Sequence, residues 1–254
     1  MRTFKGTGLL FLSVAMLIVS AGVLEAGGIS PSGSVSFCSA FDYDNGNPQI
    51  GGQFTDIRRG AEINDDYANC SLNFTGFANN ASDMWITLLR EPCCGIANFG
   101  SVEIEANIVI HTFNNRKGIG LVALYNDSTK RGLFLGVFDN GNTDGLTLMT
   151  FDSSTGQATA VKNKPLGSQI LENTEYNVEL QVVVTGGTDL HVHGSVHPAA
   201  SETEDCTGDD NCLEFDGLLS DLGLSYKGEI GIAAWAKLAV VNSSVTSFEW
   251  GPVD

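Results

Sequence analysis

FGSVEIEANIVIHTFNNRKGIGLVALYNDSTKRGLFLGVFDNG, running from Phe99 to Gly141, is the stretch on which the fold turns. Within it Val102, Ile104, Ala106, Ile108 and Ile110 alternate with Glu103, Glu105 and Asn107. Successive side chains of a strand point to opposite faces, so this period of two predicts a half-buried strand with its aliphatic residues on a core. A helix would need the apolar positions three and four apart. Gly118 to Tyr125 reads as a second strand and Asn126-Asp127-Ser128 as a polar turn. Gly132 to Phe138 follows as a third strand. Asp139-Asn140-Gly141 then signals a hairpin, because Asn and Gly accept the positive φ of tight turns.

The same grammar continues outward. Leu146 to Phe151, Tyr176 to Val184, Leu190 to Val196, Glu229 to Trp235 and Val240 to Trp250 all read as strands. Upstream, Ser34 to Phe41, Cys70 to Phe74 and Met84 to Leu89 are strand-like, among clusters of Gly, Asn and Asp. Helical periodicity is absent apart from a short turn near Leu218 to Leu222. Many short strands, turn signals and 30 glycines predict an all-β antiparallel sandwich or barrel.

One hairpin allows its register to be argued. Opposed residues of an antiparallel pair share a face. With Gly186, Gly187 and Thr188 as a three-residue loop, Thr185 opposes Asp189, Val184 meets Leu190, Val182 meets Val192 and Leu180 meets Gly194. These aliphatic side chains then all fall on one side. A two-residue loop would mix them with His191 and His193. The three-residue register places Gln181 opposite His193, Glu179 opposite Ser195 and Asn177 opposite His197, all on the outward face.

Arg2 and Lys5 precede an uncharged apolar run from Gly8 to Leu24, and small residues follow at Val19-Ser20-Ala21 and Leu24-Glu25-Ala26. This is the order of a secretory signal, residues 1–26, leaving residues 27–254 as a single domain. The rival reading, an uncleaved membrane anchor, is opposed by Ser13, Ser20, Gly22 and Glu25, which interrupt the run. The expected location is therefore extracellular or periplasmic, with no membrane partner once the signal is removed. Thirteen basic against 30 acidic residues give a net charge of −17. Such a surface repels phosphate backbones, so nucleic acid is excluded as a partner.

All six cysteines lie beyond the signal. An even count in an exported chain argues for disulfides, with 15 possible pairings. Cys206 and Cys212 close a short loop bearing Gly and Asp and are expected to pair. The adjacent Cys93 and Cys94 either bridge to Cys38 and Cys70 or bond to each other in a strained link. No paired C-x2-C units suggest zinc.

Residues 198–223, small and acidic, are expected as a surface loop held by that disulfide. Loops this long in compact domains often carry function. Its Asp205, Asp209, Asp210 and Asp216 are candidate calcium ligands through their carboxylate oxygens, although they do not match the EF-hand spacing. His191-x-His193, with His197, Glu179 or His111 as a third donor, is a spacing that chelates a transition metal. The same polar cluster of Glu179, Gln181, His191, His193 and His197 equally suits hydrogen bonds to sugar hydroxyls.

Phe99 to Gly141, with its alternating strand, its Gly-Leu-Val-x-x-x-Tyr-x-Asp strand and a third strand before a tight turn, resembles the middle of the concanavalin A-like lectin/glucanase superfamily in its laminin-G-like branch. GEIGIAAWAKLAVVNSSVTSFEW, Gly228 to Trp250, resembles the last two strands of that family, and Phe41-Asp42-Tyr43-Asp44 its opening strand. The resemblance implies an antiparallel jelly-roll β-sandwich with a concave sheet whose outward face holds ligand. It also implies one calcium in many members. Glycoside hydrolases of this fold carry Glu-x-Asp-x-x-Glu on one strand. Here Asn107 and Ile108 follow Glu103 and Glu105, so that motif is absent and no catalytic residue is assigned. The expected function is a secreted or surface module for binding carbohydrate or for adhesion, with an extracellular glycan or a cell-surface protein as partner. The alternatives are a glycan-cleaving enzyme whose acid pair comes from different strands, and a structural or assembly protein of the cell exterior. Trp85, Trp235 and Trp250, flanked by aliphatic residues, read as core rather than as sugar platforms. Asn-x-Ser/Thr sequons stand at Asn69, Asn73, Asn80, Asn126 and Asn242.

Overall fold

A computed structural model describes residues 32–37, 54–58, 62–66, 71–77, 83–89, 99–112, 117–139, 144–199, 211–237 and 239–253. The first strands are β1 (Gly33–Ser36), β2 (Phe54–Arg58), β3 (Glu62–Asp66), β4 (Ser71–Phe77) and β5 (Asp83–Leu89). Next come β6 (Val102–Ile110), β7 (Lys117–Asn126), β8 (Arg131–Asp139), β9 (Asp144–Asp152) and β10 (Gln157–Pro165). The last are β11 (Glu175–Thr185), β12 (Asp189–Pro198), β13 (Cys212–Leu218), the short helix α1 (Leu219–Leu222), β14 (Glu229–Ala236) and β15 (Val240–Gly251).

These strands form two antiparallel sheets. Sheet A runs β13-β12-β11-β6-β15-β4-β3, with β1 also paired to β15. Sheet B runs β10-β9-β8-β7-β14-β5-β2. The expected all-β jelly-roll sandwich is what the chain forms. Its core lies between the sheets, where Ile104, Ile108, Leu180 and Val192 of sheet A meet Leu121, Leu135, Leu148 and Ile232 of sheet B. No helix among the described residues is long and apolar enough to cross a membrane.

Sequence and structure part in two places. Strand β10 went unread because its burial alternates weakly; it is an edge strand, and Lys162, Lys164 and Pro165 suit an edge that must refuse further pairing. Part of the expected 198–223 loop is not loop: Cys212 to Leu218 is a strand paired along β12, from Asp189 opposite Leu218 to Ser195 opposite Cys212. The closing strand β15 pairs with β6 on one side and with β4 and β1 on the other, Gly33 opposite Trp250; Phe41 to Asp44, expected beside it, lie outside the described residues. The signal segment 1–26 also lies outside them.

In sheet B every residue of β7 from Lys117 to Tyr125 is buried. A second apolar cluster covers the outward face of this sheet, with Met84, Ile86, Val122, Phe134, Phe138 and Phe151 among its members. Glycines on the same face make room for the rings. A Cβ at Gly118 would fall 2.7 Å from the Phe138 ring, and one at Gly132 2.6 Å from that of Phe151. Trp85 at 0% and Trp250 at 7% exposure are core, as expected, and half-buried Trp235 packs on the second cluster against Phe138.

Candidate functional site

The β11–β12 hairpin has the argued register throughout, from Thr185 opposite Asp189 to Asn177 opposite His197. On its core face Val178, Leu180, Val182, Leu190 and Val192 are all buried. Its other face therefore carries Glu179, Gln181, His191 and His193, each half-buried.

What the hairpin alone could not reveal is its neighbours. Strand β6 lies beside β11 with Glu105 opposite Glu179 and Glu103 opposite Gln181. Strand β15 lies on the far side of β6 with Glu249 opposite Glu105. One row across four strands thus reads Glu249, Glu105, Glu179, Ser195. A second row places Glu103, Gln181, His193 and Glu214 side by side. Opposed residues start about 5 Å apart at Cβ, so these carboxylates feel one another.

The surroundings treat the two central glutamates differently. Asn177 donates its amide N–H to Glu105 Oε1 and to Asn107 Oδ1, the latter at 3.1 Å. Half-buried Glu179 receives only a long bond from the Ser195 hydroxyl, 3.4 Å. Burial first, and the Glu103 charge second, push its carboxyl above the ordinary range, with Glu105 adding to the effect and His193 opposing it. Beside this row, Glu103, Glu105, Glu249, Trp250 and Gly33 line a cavity of about 290 Å³.

Two expected members do not join the open face. His197 is buried, 7% exposed, as is Ser195 at 2%, so the face is open toward His191 and His193 and closed at its other end. Cys212, opposite Ser195 on that closed end, is disulfide-bonded. Its expected partner Cys206 lies outside the described residues. Asp216 pairs with His191, Nδ1 to Oδ1 at 2.7 Å. Asp205, Asp209 and Asp210 lie outside the described residues. Among the described residues no group of three or more His, Cys, Asp or Glu is arranged to hold a metal ion. His111 is far from the other histidines in the hydrogen-bond pattern: its Nδ1 meets Asn173 Oδ1 at 3.0 Å and its Nε2 meets Ser244 Oγ at 2.9 Å.

The sequence reading missed Glu249 altogether, and with it the cavity beside Trp250. Its own strand offers one signal, the outward position of Glu249 between inward Phe248 and Trp250. Nothing local says that β15 borders β6.

No family model matches the chain, and no curated protein sequence matches it. Solved structures do. The chain is similar in fold to a xylan β-1,4-xylosidase from Bacillus halodurans C-125, at 14% identity and a TM-score of 0.54 over 86% of this chain and 38% of that one. It therefore spans well under half the length of that enzyme. It is also similar to a β-glucanase from Bacillus licheniformis, at 8% identity and a TM-score of 0.50, over 89% of this chain and 100% of that one. The fold is that of the concanavalin A-like jelly rolls.

Proposed function

We propose that, on this concanavalin A-like frame, the chain is an exported carbohydrate-binding module whose glycan lies across the outward face of sheet A. One observation carries the reading: side chains that hydrogen-bond, brought from β15, β6, β11, β12 and β13, form a continuous polar face with no aliphatic residue on its two central rows. Sugar hydroxyls both donate and accept. Carboxylates and imidazole nitrogens accept from them, and amides such as Gln181 do both. The ligand stays in water on one side, which suits a flat, half-buried site rather than a sealed pocket.

The facing pair Glu105 and Glu179 favours a second reading, cleavage of the bound glycan. Retaining glycoside hydrolysis needs two carboxyl groups about 5 to 5.5 Å apart, one protonated and one ionised. Glu179, with its raised pKa, suits the acid, and Glu105, opposite it on the neighbouring strand, is the second carboxyl group.

A glycan array probed with the exported protein, once with calcium and once with chelator, tests the binding reading. Specific signals are expected that disappear in a His191→Ala, His193→Ala double variant. An empty array, or signals untouched by the double variant, would sink it. The chelator arm decides whether Asp205, Asp209 and Asp210 supply a calcium that binding needs. Chromatography of each bound oligosaccharide after long incubation at mildly acidic pH separates the two readings. Shortened products that vanish in Glu179→Gln mean cleavage, and intact sugar means binding alone.

A further inference from the structure

At one end of the sandwich, away from the polar rows, α1 and the segment that follows it meet two turns. Gly223 adopts φ +65 and closes α1, and Leu224 N–H returns to the Leu219 carbonyl at 2.9 Å. Leu219 N–H in turn donates to the Thr188 carbonyl in the β11–β12 turn, 3.0 Å. On the other side Asn126, at the start of the β7–β8 turn, donates its amide N–H to Ser225 Oγ at 3.0 Å. Its Oδ1 accepts the Ser128 and Thr129 N–H groups at 3.0 and 3.1 Å. The segment ends in a two-way bridge between Gly228 and Phe99, 2.8 and 3.0 Å. These elements border an open cavity of about 670 Å³, a volume within the range of small-molecule sites.

The walls of this cavity differ in kind from the rest of the surface. Leu219 and Leu224 form an apolar floor, and Thr188, Ser220 and Ser225 bring hydroxyls to the wall. Tyr226 is 56% exposed, one of the few large hydrophobic side chains left open among the described residues. Lys227 holds its ammonium 5.7 Å from the centre of that ring. In a chain of net charge −17, this lining includes one lysine and neither Asp nor Glu. The nearby Asp127 is engaged by Lys130 at 2.7 Å, and Asp221 accepts the Ser220 hydroxyl at 3.4 Å without lining the cavity. The Arg131 guanidinium passes against Gly223, where a Cβ would fall 2.2 Å from Nη1. This end therefore gathers cations that the described strands of sheet A lack.

We propose that this cavity is a second saccharide site, distinct from the sheet face, and that it takes a unit bearing a carboxylate, a hexuronate of an acidic polysaccharide. The aromatic ring of Tyr226 offers a platform for the C–H face of a pyranose, since such rings pair an apolar body with a polar tip. The hydroxyls and the Asn126 amide meet the sugar hydroxyls. Lys227 supplies a point charge for the carboxylate. A neutral sugar would leave that charge unused, and a cationic one would be repelled by it. The walls are already tied by backbone and side-chain bonds, so little ordering is left to oppose binding. The site does not depend on the sheet-face reading, because it shares no side chain with the two polar rows.

Calorimetric titration of the whole exported chain with a galacturonate trimer, and with cellotriose as the neutral probe, tests this. Wild type is expected to bind the galacturonate trimer saturably and at least about tenfold more tightly than cellotriose. Tyr226→Ala and Lys227→Gln should each weaken the acidic trimer by about tenfold or more, and higher salt should weaken it in wild type but less in Lys227→Gln. Thermal melts identify any variant that fails to fold, and the exposed positions of both residues make that an unexpected result. Lys162→Gln, which removes a lysine on the edge strand β10 outside both sites, should leave this binding unchanged. No saturable binding by wild type overturns the proposal, as does equal affinity for cellotriose or an affinity that neither variant alters.

Discussion

The outward faces of the two sheets are built from opposite chemistry. Among the described residues no Lys or Arg stands in any strand of sheet A, while β3, β6, β11, β12, β13 and β15 all carry Asp or Glu. Sheet B holds Arg58, Lys117, Arg131, Lys162 and Lys164 in its strands, yet its outward face is aromatic and aliphatic and is buried. A face buried among Phe and Met side chains contributes to stability and can do little chemistry. A face of hydrogen-bonding side chains in rows contributes little to stability and is free to meet a ligand. The molecule thus has one sheet that works as a two-sided core layer and one that works as a core on one side and a surface on the other.

The largest expected effect tests the first half of that contrast. Phe138 is 2% exposed on the outward face of sheet B, its ring 5.5 Å from that of Trp235 and 5.9 Å from that of Phe134. Phe138→Ala should cost about 3 to 5 kcal/mol in denaturant unfolding, as a cavity in a true core does. A cost under about 1 kcal/mol would show that this face is surface after all.

Next comes Glu179, where the two roles conflict. A carboxyl whose pKa is raised by folding binds its proton more tightly in the folded chain than in the unfolded one. Stability then rises as pH falls through the folded pKa, which lies above the ordinary value of 4.5. At neutral pH the ionised group opposes folding. Glu179→Gln should therefore raise the thermal midpoint near about pH 7 and bring the two proteins together toward about pH 4. A variant that melts lower than wild type at neutral pH would mean that the acidic row stabilises the sheet and would break the contrast.

The smallest effect is expected at His191 and Asp216, with side chains 45% and 84% exposed. Such pairs are screened by water, so Asp216→Asn should change stability by less than about 0.5 kcal/mol. A loss well above that would show the polar face to be structural, as its rival reading requires.

Much of the fold was legible before any coordinates, because the relevant physics is local. The alternation at Val102 to Ile110 is recorded in the strand itself, and so is the Gly186-Gly187-Thr188 loop, whose two glycines take φ +62 and +74. A one-residue slip there would turn the core-facing aliphatic side chains to water, which is why the register of β11 on β12 could be argued residue by residue. Strand β13 was not legible, because CLEFDGL carries acids on the side that faces water and sits in a run of similar composition. Its strand conformation comes from the open edge of β12, not from its own propensity. His197 shared the period of the open face and yet is buried, since period tells which side of a sheet a residue is on but not what lies over it.

The candidate site divides along the same line. The hairpin's polar side was determined by the sequence, through a period of two and a turn that admits one register. The row Glu249, Glu105, Glu179 was decided only by tertiary structure, since its members come from three strands far apart in the chain. Their adjacency follows from the order of strands in sheet A. That order is settled by which strand faces find cover against sheet B, a balance struck over the whole core at once. So too with the cavity at Tyr226 and Lys227, where a turn from β7–β8, a turn from β11–β12 and the chain after α1 meet because the strands beneath them pack. Alternation, turn chemistry and charge are written residue by residue, whereas neighbours across a sheet exist only when the sheet does.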